Sequence, residues 1–462
     1  MSLGAGLAIA LTALQADQGA EAVTANNIAN ANTPGYSRQV AELEPMPPET
    51  VGNVQYGSGV ELAGVHSITD QLVTNQIQQQ QQSNGRAAAF QGAMQPVEQL
   101  FNATQGTGLG ADLDKFFSSL QQLEAQPTDL PTRQAVLNAA QTLAAGFNQT
   151  AAELASQQSN ADQQVLQTAA QVNQLSRQVA QLNVAIGGLP PNSSGAGQLN
   201  DQRTALVTQL SQLISVQTVT TNNGMINLTT AGGGALVVGA QSEALTTQMN
   251  PATGMHDVYA GGADLTAALG SAAQGGELGG YIQARDQTIP ALQGQLDTLA
   301  AGLATAVNTQ NQAGYTLTGA AGGDFFTPPP AGTAGAAAVF AVAITAPSDI
   351  AASSDGTAGS NGNAVAMANL QNQNIIAGQP PTTYYANAVS QLGTVIQGAI
   401  NQQQAGGQLL TQLQNQLGAV SGVSLDQEAA NLMNYQQAYA GAAKVVSTIE
   451  TMMQAALQMV PS

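Results

Sequence analysis

The chain has 462 residues, a length that suits two to four domains rather than one core. Only 8% of them are charged and acids outnumber bases 27 to 8; the net charge of -19 excludes a nucleic-acid partner, because neutralising phosphates needs clustered Lys and Arg. With no Cys, no Trp and only His66 and His256, which share no ligand spacing, the chain excludes thiol chemistry, disulfides and Cys-held zinc, and no metal or cofactor is expected.

Gln, Asn, Ser and Thr stand where Lys and Glu normally cover a surface. Neutral amides can be buried against a neighbour without the cost of burying an ion, which suits a subunit packed on several sides; a plain preference for Ala and Gln accounts for the composition equally well.

"MSLGAGLAIALTALQA" has the apolar run of a secretory signal but no basic residue before Arg38, so it reads as helix rather than as a cleaved leader. No window holds the apolar residues of a membrane span, and no membrane insertion is expected. Leu3, Leu7, Leu11 and Leu14 form one helical stripe that continues through Val23 and Ile28. Asn30 to Gly35 ends it, since Pro34 has no amide hydrogen and disfavours helix at Thr33. Residues from Val40 to about Gly64 read as extended. Helix resumes near Ile68 and passes through the Gln tract at 78–82, read as a solvated face beside Leu72, Ile77 and Phe90.

The clearest periodicity is an unbroken 4,3 alternation from Phe147 to Ile186, apolar at all positions but Gln158 and Thr168 and bounded by Pro131 and Gly187-Gly188. It predicts a helix of roughly 60 Å over its regular part. The same spacing runs from Leu278 to Ala306, with a kink at Pro290, and from Tyr385 to Leu417. Three such seams are buried only against each other, as one bundle drawn from distant parts of the chain.

Between them, residues 216–256 turn rich in Thr and Val around Asn223-Gly224, a strong hairpin signal. A lesser Gly/Ala insert follows at 314–362, with "AVFAVAIT" as a strand. After the break from Gly418 to Gly422, Ser424 caps a last helix to about Val460, whose seam includes Leu425, Leu432, Tyr439, Val446, Ile449 and Met453. Tyr435 and Tyr439 read equally as seam filler or as hydroxyl contacts to neighbours. Backbone ordering at about 1–2 kcal/mol per residue outweighs what this seam alone can bury. The two chain ends therefore need each other or a neighbouring subunit.

The expected fold class is mainly α: an elongated multi-domain rod, with terminal coiled-coil helices and a long-helix bundle carrying an inserted small β domain. The expected units are 1–62 with 423–462, disordered in the free subunit; a bundle of 63–213, 277–313 and 363–422; a β domain at 214–276; and the insert at 314–362.

The stretch "NNIANANTPGYSRQ", ending at Gln39, and the C-terminal "SGVSLDQEAANLMNYQQAYAGAAKVVSTIETMM" together resemble the paired end signatures of the rod and hook family of bacterial flagellar axial proteins. "GYSRQ", "EAANLMNYQQAY", "GTGLGADLDKFFSSLQQLEAQPTDLPTRQAVLNAAQTL", "LNDQRTALVTQLSQLISV", "GGELGGYIQARDQTIPALQGQLDTLA", "GDFFT" and "PSDIAASSDGTAGSNGNA" place the resemblance in its hook-associated, junction-forming branch, over nearly the whole chain. The chain is short for that branch, which implies a missing outer domain with 314–362 as its scar.

The resemblance implies that the ends line an inner tube, the bundle forms the next shell and the β domain points outward. It implies type III export without signal cleavage to an extracellular site at the hook-filament junction. The implied partners are hook protein, a second junction protein and further copies of the chain in a ring-like layer. A cytoplasmic export chaperone would hold the C-terminal helix. The implied subunit contacts are Leu3, Leu7, Leu11, Leu14, Asn27, Ile28, Asn30, Pro34, Gly35 and Tyr36 at one end. At the other they are Leu425, Leu432, Tyr435, Tyr439, Val446, Ile449 and Met453, a surface that also suits the chaperone.

No enzyme is expected: the acids stand singly, "GTGLG" lacks the spacing of a dinucleotide loop, and no nucleophile elbow or phosphate loop occurs. A hook or rod subunit is the nearer rival, set apart by the long bundle between the ends; a secreted adhesin is a third reading.

Overall fold

The computed structural model describes residues 3–51, 54–101, 107–190 and 192–458; the expected helix end at Val460 lies outside them. α1 (Leu3–Asn30) leads into an antiparallel hairpin of β1 (Gln39–Pro45) and β4 (Val60–Ser67), with β2 (Glu49–Val51) and β3 (Val54–Tyr56) paired at its tip. α2 (Gln71–Phe101), α3 (Leu109–Ala125), α4 (Leu130–Gly187) and α5 (Ser194–Leu213) follow.

α4 is the expected long helix, 58 residues or about 87 Å at 1.5 Å per residue. Asp129 caps it by accepting the Thr132 amide hydrogen, and Pro131 sits in its first turn, where a missing N–H costs nothing. Every position of its 4,3 seam is buried or half-buried.

The β domain comprises a four-stranded sheet, β5 (Gln217–Thr220), β6 (Ile226–Thr229), β7 (Ala235–Val238) and β8 (Gln241–Ser242), joined in sequence order. A three-stranded sheet follows, with β10 (His256–Ala260) central between β9 (Leu245–Met249) and β11 (Ala263–Asp264). The first hairpin turns at Asn223-Gly224 as the sequence predicts, Gly224 taking φ 77°, a left-handed conformation that suits glycine. α6 (Thr266–Ser271) and α7 (Gly276–Gln283) lead through one π-type turn at 284–288 into α8 (Ile289–Gln312). The kink expected at Pro290 takes this form: the proline offers no N–H to the carbonyl of Asp286, and the ladder widens by one residue. After an irregular segment come α9 (Gly362–Asn369), α10 (Pro381–Ser421) and α11 (Leu425–Gln458).

Two cores share α4. Its first half joins α2, α3, α8, α10 and the 325–376 segment around Phe116, Phe117, Phe147, Phe325 and Phe326; Phe326 and Phe340 stack with centroids 4.5 Å apart. Its second half joins α5, α7 and the β domain around Val172, Val179, Leu210, Leu228 and Val258.

A charged joint stands where the two cores meet. Arg285, 1% exposed on the wide turn, donates from one terminal nitrogen to Asp162 Oδ1 and to the His256 carbonyl, each at 2.6 Å, while Asp286 takes its other nitrogens. Asp162 also accepts from the His256 amide and is 2.6 Å from His256 Nδ1. Burial pushes the Asp162 carboxyl up, but these hydrogen bonds and the Arg285 charge outweigh it and hold the group below its ordinary value. α4, the wide turn and β10 are thereby fastened at one point.

Two expectations change. The Gln tract is only in part a solvated face: Gln79 is exposed, but Gln78 and Gln82 are buried, and Gln82 donates to the Val216 carbonyl at 2.9 Å. "AVFAVAIT" is not a strand of a sheet but makes a single bridge, Phe326 to Val342, in which the Thr327 amide donates to the Ala341 carbonyl at 2.8 Å and the Ala343 amide to the Phe325 carbonyl at 2.9 Å; the Asn308 side chain on α8 takes the Phe326 amide and carbonyl, so no third strand adds there. The terminal helices pair with each other within the single chain.

Candidate assembly interface

α1 packs against α11 on one side and the β1–β4 hairpin on the other. Its buried residues are Ala10, Ala16, Ala20, Val23, Thr24 and Asn27; Leu7, Leu14 and Ile28 are half-buried, and Leu3 and Leu11 are 39% and 45% exposed. The leucine stripe therefore lies at the rim of the pair rather than in it, and small side chains occupy the enclosed face.

Asn27, expected at a subunit contact, is engaged within its own chain. It is 1% exposed and every polar atom is used within the chain. Nδ2 donates to the Gln39 carbonyl at 2.7 Å and to Glu428 Oε2 at 3.0 Å, while Oδ1 accepts from Tyr36 Oη at 2.8 Å and the Gln39 amide at 2.9 Å. Leaving any of these groups unpaired at such burial would cost about 1–3 kcal/mol. Tyr36 is likewise engaged within the chain; burial first, then the charges of Asp201 and Glu428, push its hydroxyl up to about 12. It therefore stays a donor throughout the neutral range. Asn30 is local stop chemistry, donating to the Asn26 carbonyl and accepting from Thr33, and Pro34 and Gly35 stand exposed at the turn.

The next three residues tie this end to everything near it. The Ser37 amide donates to Asp201 on α5 at 2.8 Å, and burial raises that carboxyl above its ordinary value despite the bonds from Ser37. Arg38 Nε meets Glu428 Oε1 at 2.7 Å, with the Glu428 side chain 2% exposed. The Gln39 side chain exchanges hydrogen bonds with Ser194 at the start of α5.

On α11 only Glu428 and Ile449 are buried, Ile449 lying against Gly6. Leu432, Tyr435, Tyr439 and Val446 are half-buried toward α1, and Tyr439 Oη accepts from Gln18 at 3.3 Å. Leu425 and Met453 are 53% and 37% exposed, as are Met433, Val445, Met452 and Leu457 to greater degrees than Met453. The helix thus carries apolar side chains on more faces than α1 covers. Among the described residues there is no cluster able to hold a metal and no helix long and apolar enough to cross a membrane.

Comparison with known proteins matches residues 94–326 to the family described as the helical domain of flagellar hook-associated protein FlgK. The chain belongs to the flagellar hook-associated protein 1 family. Residues 7–36 match the flagellar basal body rod protein family, and 416–459 match the C-terminal region of the rod proteins FlgEFG. These two segments contain most of α1 and all described residues of α11, the helices that pair.

A relative named flagellar hook-associated protein 1 in Bacillus subtilis is 31% identical over 96% of this chain and 95% of its own length. Its Escherichia coli namesake is 27% identical over 95% of this chain and 96% of its own. That second alignment runs over 533 residues against 462 here, so the relative carries segments this chain lacks. The solved flagellar hook junction protein FlgK of Burkholderia pseudomallei shares the fold, with TM-score 0.65 and 19% identity over 75% of this chain and all of that one.

Sequence reading missed Glu428, Asp201 and Ser194 as partners of the N-terminal signature. The available signal for Glu428 is its spacing, three residues after Leu425 at the start of the expected seam of the last helix.

Proposed function

We propose that this chain is a non-catalytic adaptor of the hook-filament junction, stacking on hook protein through its terminal helices and offering the second junction protein and the filament a surface built from its bundle and β domain. The observation that carries this reading is that the two segments matching rod-protein ends form one helix pair, with the FlgK-type helical domain threaded between them.

In this reading 1–62 with 423–462 form the inner layer, the bundle of 63–213, 277–313 and 363–422 surrounds it, and the β domain at 214–276 and the insert at 314–362 face outward. Copies pack into a ring-like layer through side chains that the helix pair leaves open: Leu3, Leu7, Leu11 and Leu14 on α1, the Pro34-Gly35 turn, and Leu425 and Met453 on α11. Before export through the type III apparatus, a chaperone covers the apolar faces of α11. The protein then acts outside the cell.

Deleting the gene in its host tests the reading. Hooks without filaments, with flagellin shed into the medium, are expected; missing hooks would assign the chain to the hook or rod, and normal filaments would refute the junction role.

A further inference from the structure

The chain crosses between the terminal helices with their hairpin and the bundle twice, at 68–70 and at 422–424, and turns from α1 into the hairpin at 31–38. All three connections meet at one residue. The Arg38 amide donates to the carbonyl of Ser421, the last residue of α10, and its carbonyl accepts from the Ile68 amide, each at 2.8 Å. Its guanidinium reaches the first turn of α11 at Glu428. On either side, Ser37 and Gln39 bond to Asp201 and Ser194 of α5, so the bundle holds the same three residues.

We propose that Arg38 is the pin of a locked hinge, and that its pairing with Glu428 sets the inclination of the α1–α11 coil to the bundle. The backbone bonds fix Arg38 relative to the bundle, so α11 is oriented through the side-chain pair, and Asn27 on α1 braces it by donating to both Glu428 and the Gln39 carbonyl. The covalent connection to α10 is residues 422–424, where Gly422 gives no side-chain packing. Glu428 is nearly enclosed, so in a swung-out coil its carboxylate must find water, whereas Arg38, 21% exposed, is already partly solvated. The lock therefore holds in the free chain and opens when packing on α11 by another molecule outweighs the ion pair together with the Asn27 bonds to Gln39. It is a property of the single chain and does not depend on the junction reading.

The chain has no cysteine, so two can be introduced for spin labels, at the exposed Gln412 on α10 and Ala438 on α11. The parent is expected to give one narrow distance distribution. E428M, which keeps the volume and removes the acceptor, and R38M should each give a distribution at least twice as wide with the helical circular dichroism unchanged. The double variant should be no wider than the singles. Unchanged narrow distributions in both single variants would overturn the proposal. Loss of helicity would overturn it too, since the pair would then be holding α11 folded rather than angled.

Discussion

Arg285→Met removes the guanidinium from the joint between α4, the wide turn and β10 while keeping most of the aliphatic stem. Four hydrogen bonds are lost, but unequally. Asp286, with its side chain 34% exposed, exchanges its bonds for water at little cost. Asp162, 9% exposed, keeps the His256 amide and ring as partners but loses its charged donor, and the His256 carbonyl loses the same donor. The cost lies between one charge-assisted hydrogen bond, about 1.5–3 kcal/mol, and a fully broken buried pair, about 3–5 kcal/mol. About 3 kcal/mol is expected, equivalent to roughly a hundredfold in an opening equilibrium. Because β10 hangs on this point, the loss should appear locally: hydrogen exchange by mass spectrometry should show residues 245–264 exchanging about a hundredfold faster, with α10 unaffected. Asp286→Asn is the control and should change exchange by less than about fivefold, because the amide oxygen still accepts from the guanidinium and Arg285 keeps Asp162 and the His256 carbonyl. Equal effects of the two variants, or less than a fivefold effect of Arg285→Met, would refute the assignment of the load to Asp162. The variant should also move acid unfolding to higher pH. Asp162 titrates below its unfolded value, so its stabilisation is present above the unfolded pKa and is lost as pH falls through the folded one, and removing Arg285 narrows that gap.

Gly85→Ala should destabilise by about 2 kcal/mol or more in thermal melts, since its Cβ would stand 2.1 Å from the Gln212 backbone oxygen. Gly407→Ala, in mid-helix with nothing within 4 Å, should stabilise by about 0.5–1 kcal/mol; equal effects of the two would discredit the packing of α2 on α5. Asp201→Asn should flatten the pH dependence of stability measured by urea unfolding. Burial raises the folded pKa, so this carboxyl's contribution is full below the unfolded value and lost as pH rises through the folded one, while an amide still accepts from Ser37. Val446→Asp or Tyr439→Asp should abolish incorporation into flagella while the β domain keeps its hydrogen-exchange protection; normal incorporation would count against the α11 seam.

What the sequence disclosed depended on how local the cause was. The 4,3 seam of α4 and the Asn223-Gly224 turn are written in neighbouring residues, so helix and hairpin could be placed from them. Arg285 could have been flagged as a lone cation on an otherwise apolar seam, but its partner Asp162 lies one step off another seam more than a hundred residues away. Asn27 is harder still. Beside a Pro-Gly turn it is fully explained as stop chemistry, and that sufficiency hides four bonds, one of which reaches across the fold to Glu428. The enclosed face of α1 was hidden for a related reason: hydropathy favours the largest apolar stripe, the leucines, whereas the face wedged between α11 and the hairpin admits alanine. "AVFAVAIT" is apolar and β-branched enough for a strand, yet a strand needs a partner of its own length, and the segment facing it pairs at Phe326 alone.

α4 contributes residues to both cores without a break, so the β domain and the phenylalanine-rich end cannot bend independently along its axis. A sideways load on the β domain is carried down α4 as on a lever of about 87 Å, and its torque arrives at the far core. Compliance is left to the places where the helices are interrupted: the wide turn at 284–288 and the three residues between α10 and α11. In a layer between a flexing structure and a stiff one, angular differences would then collect at the α1–α11 coil, while the bundle and β domain move as solid bodies.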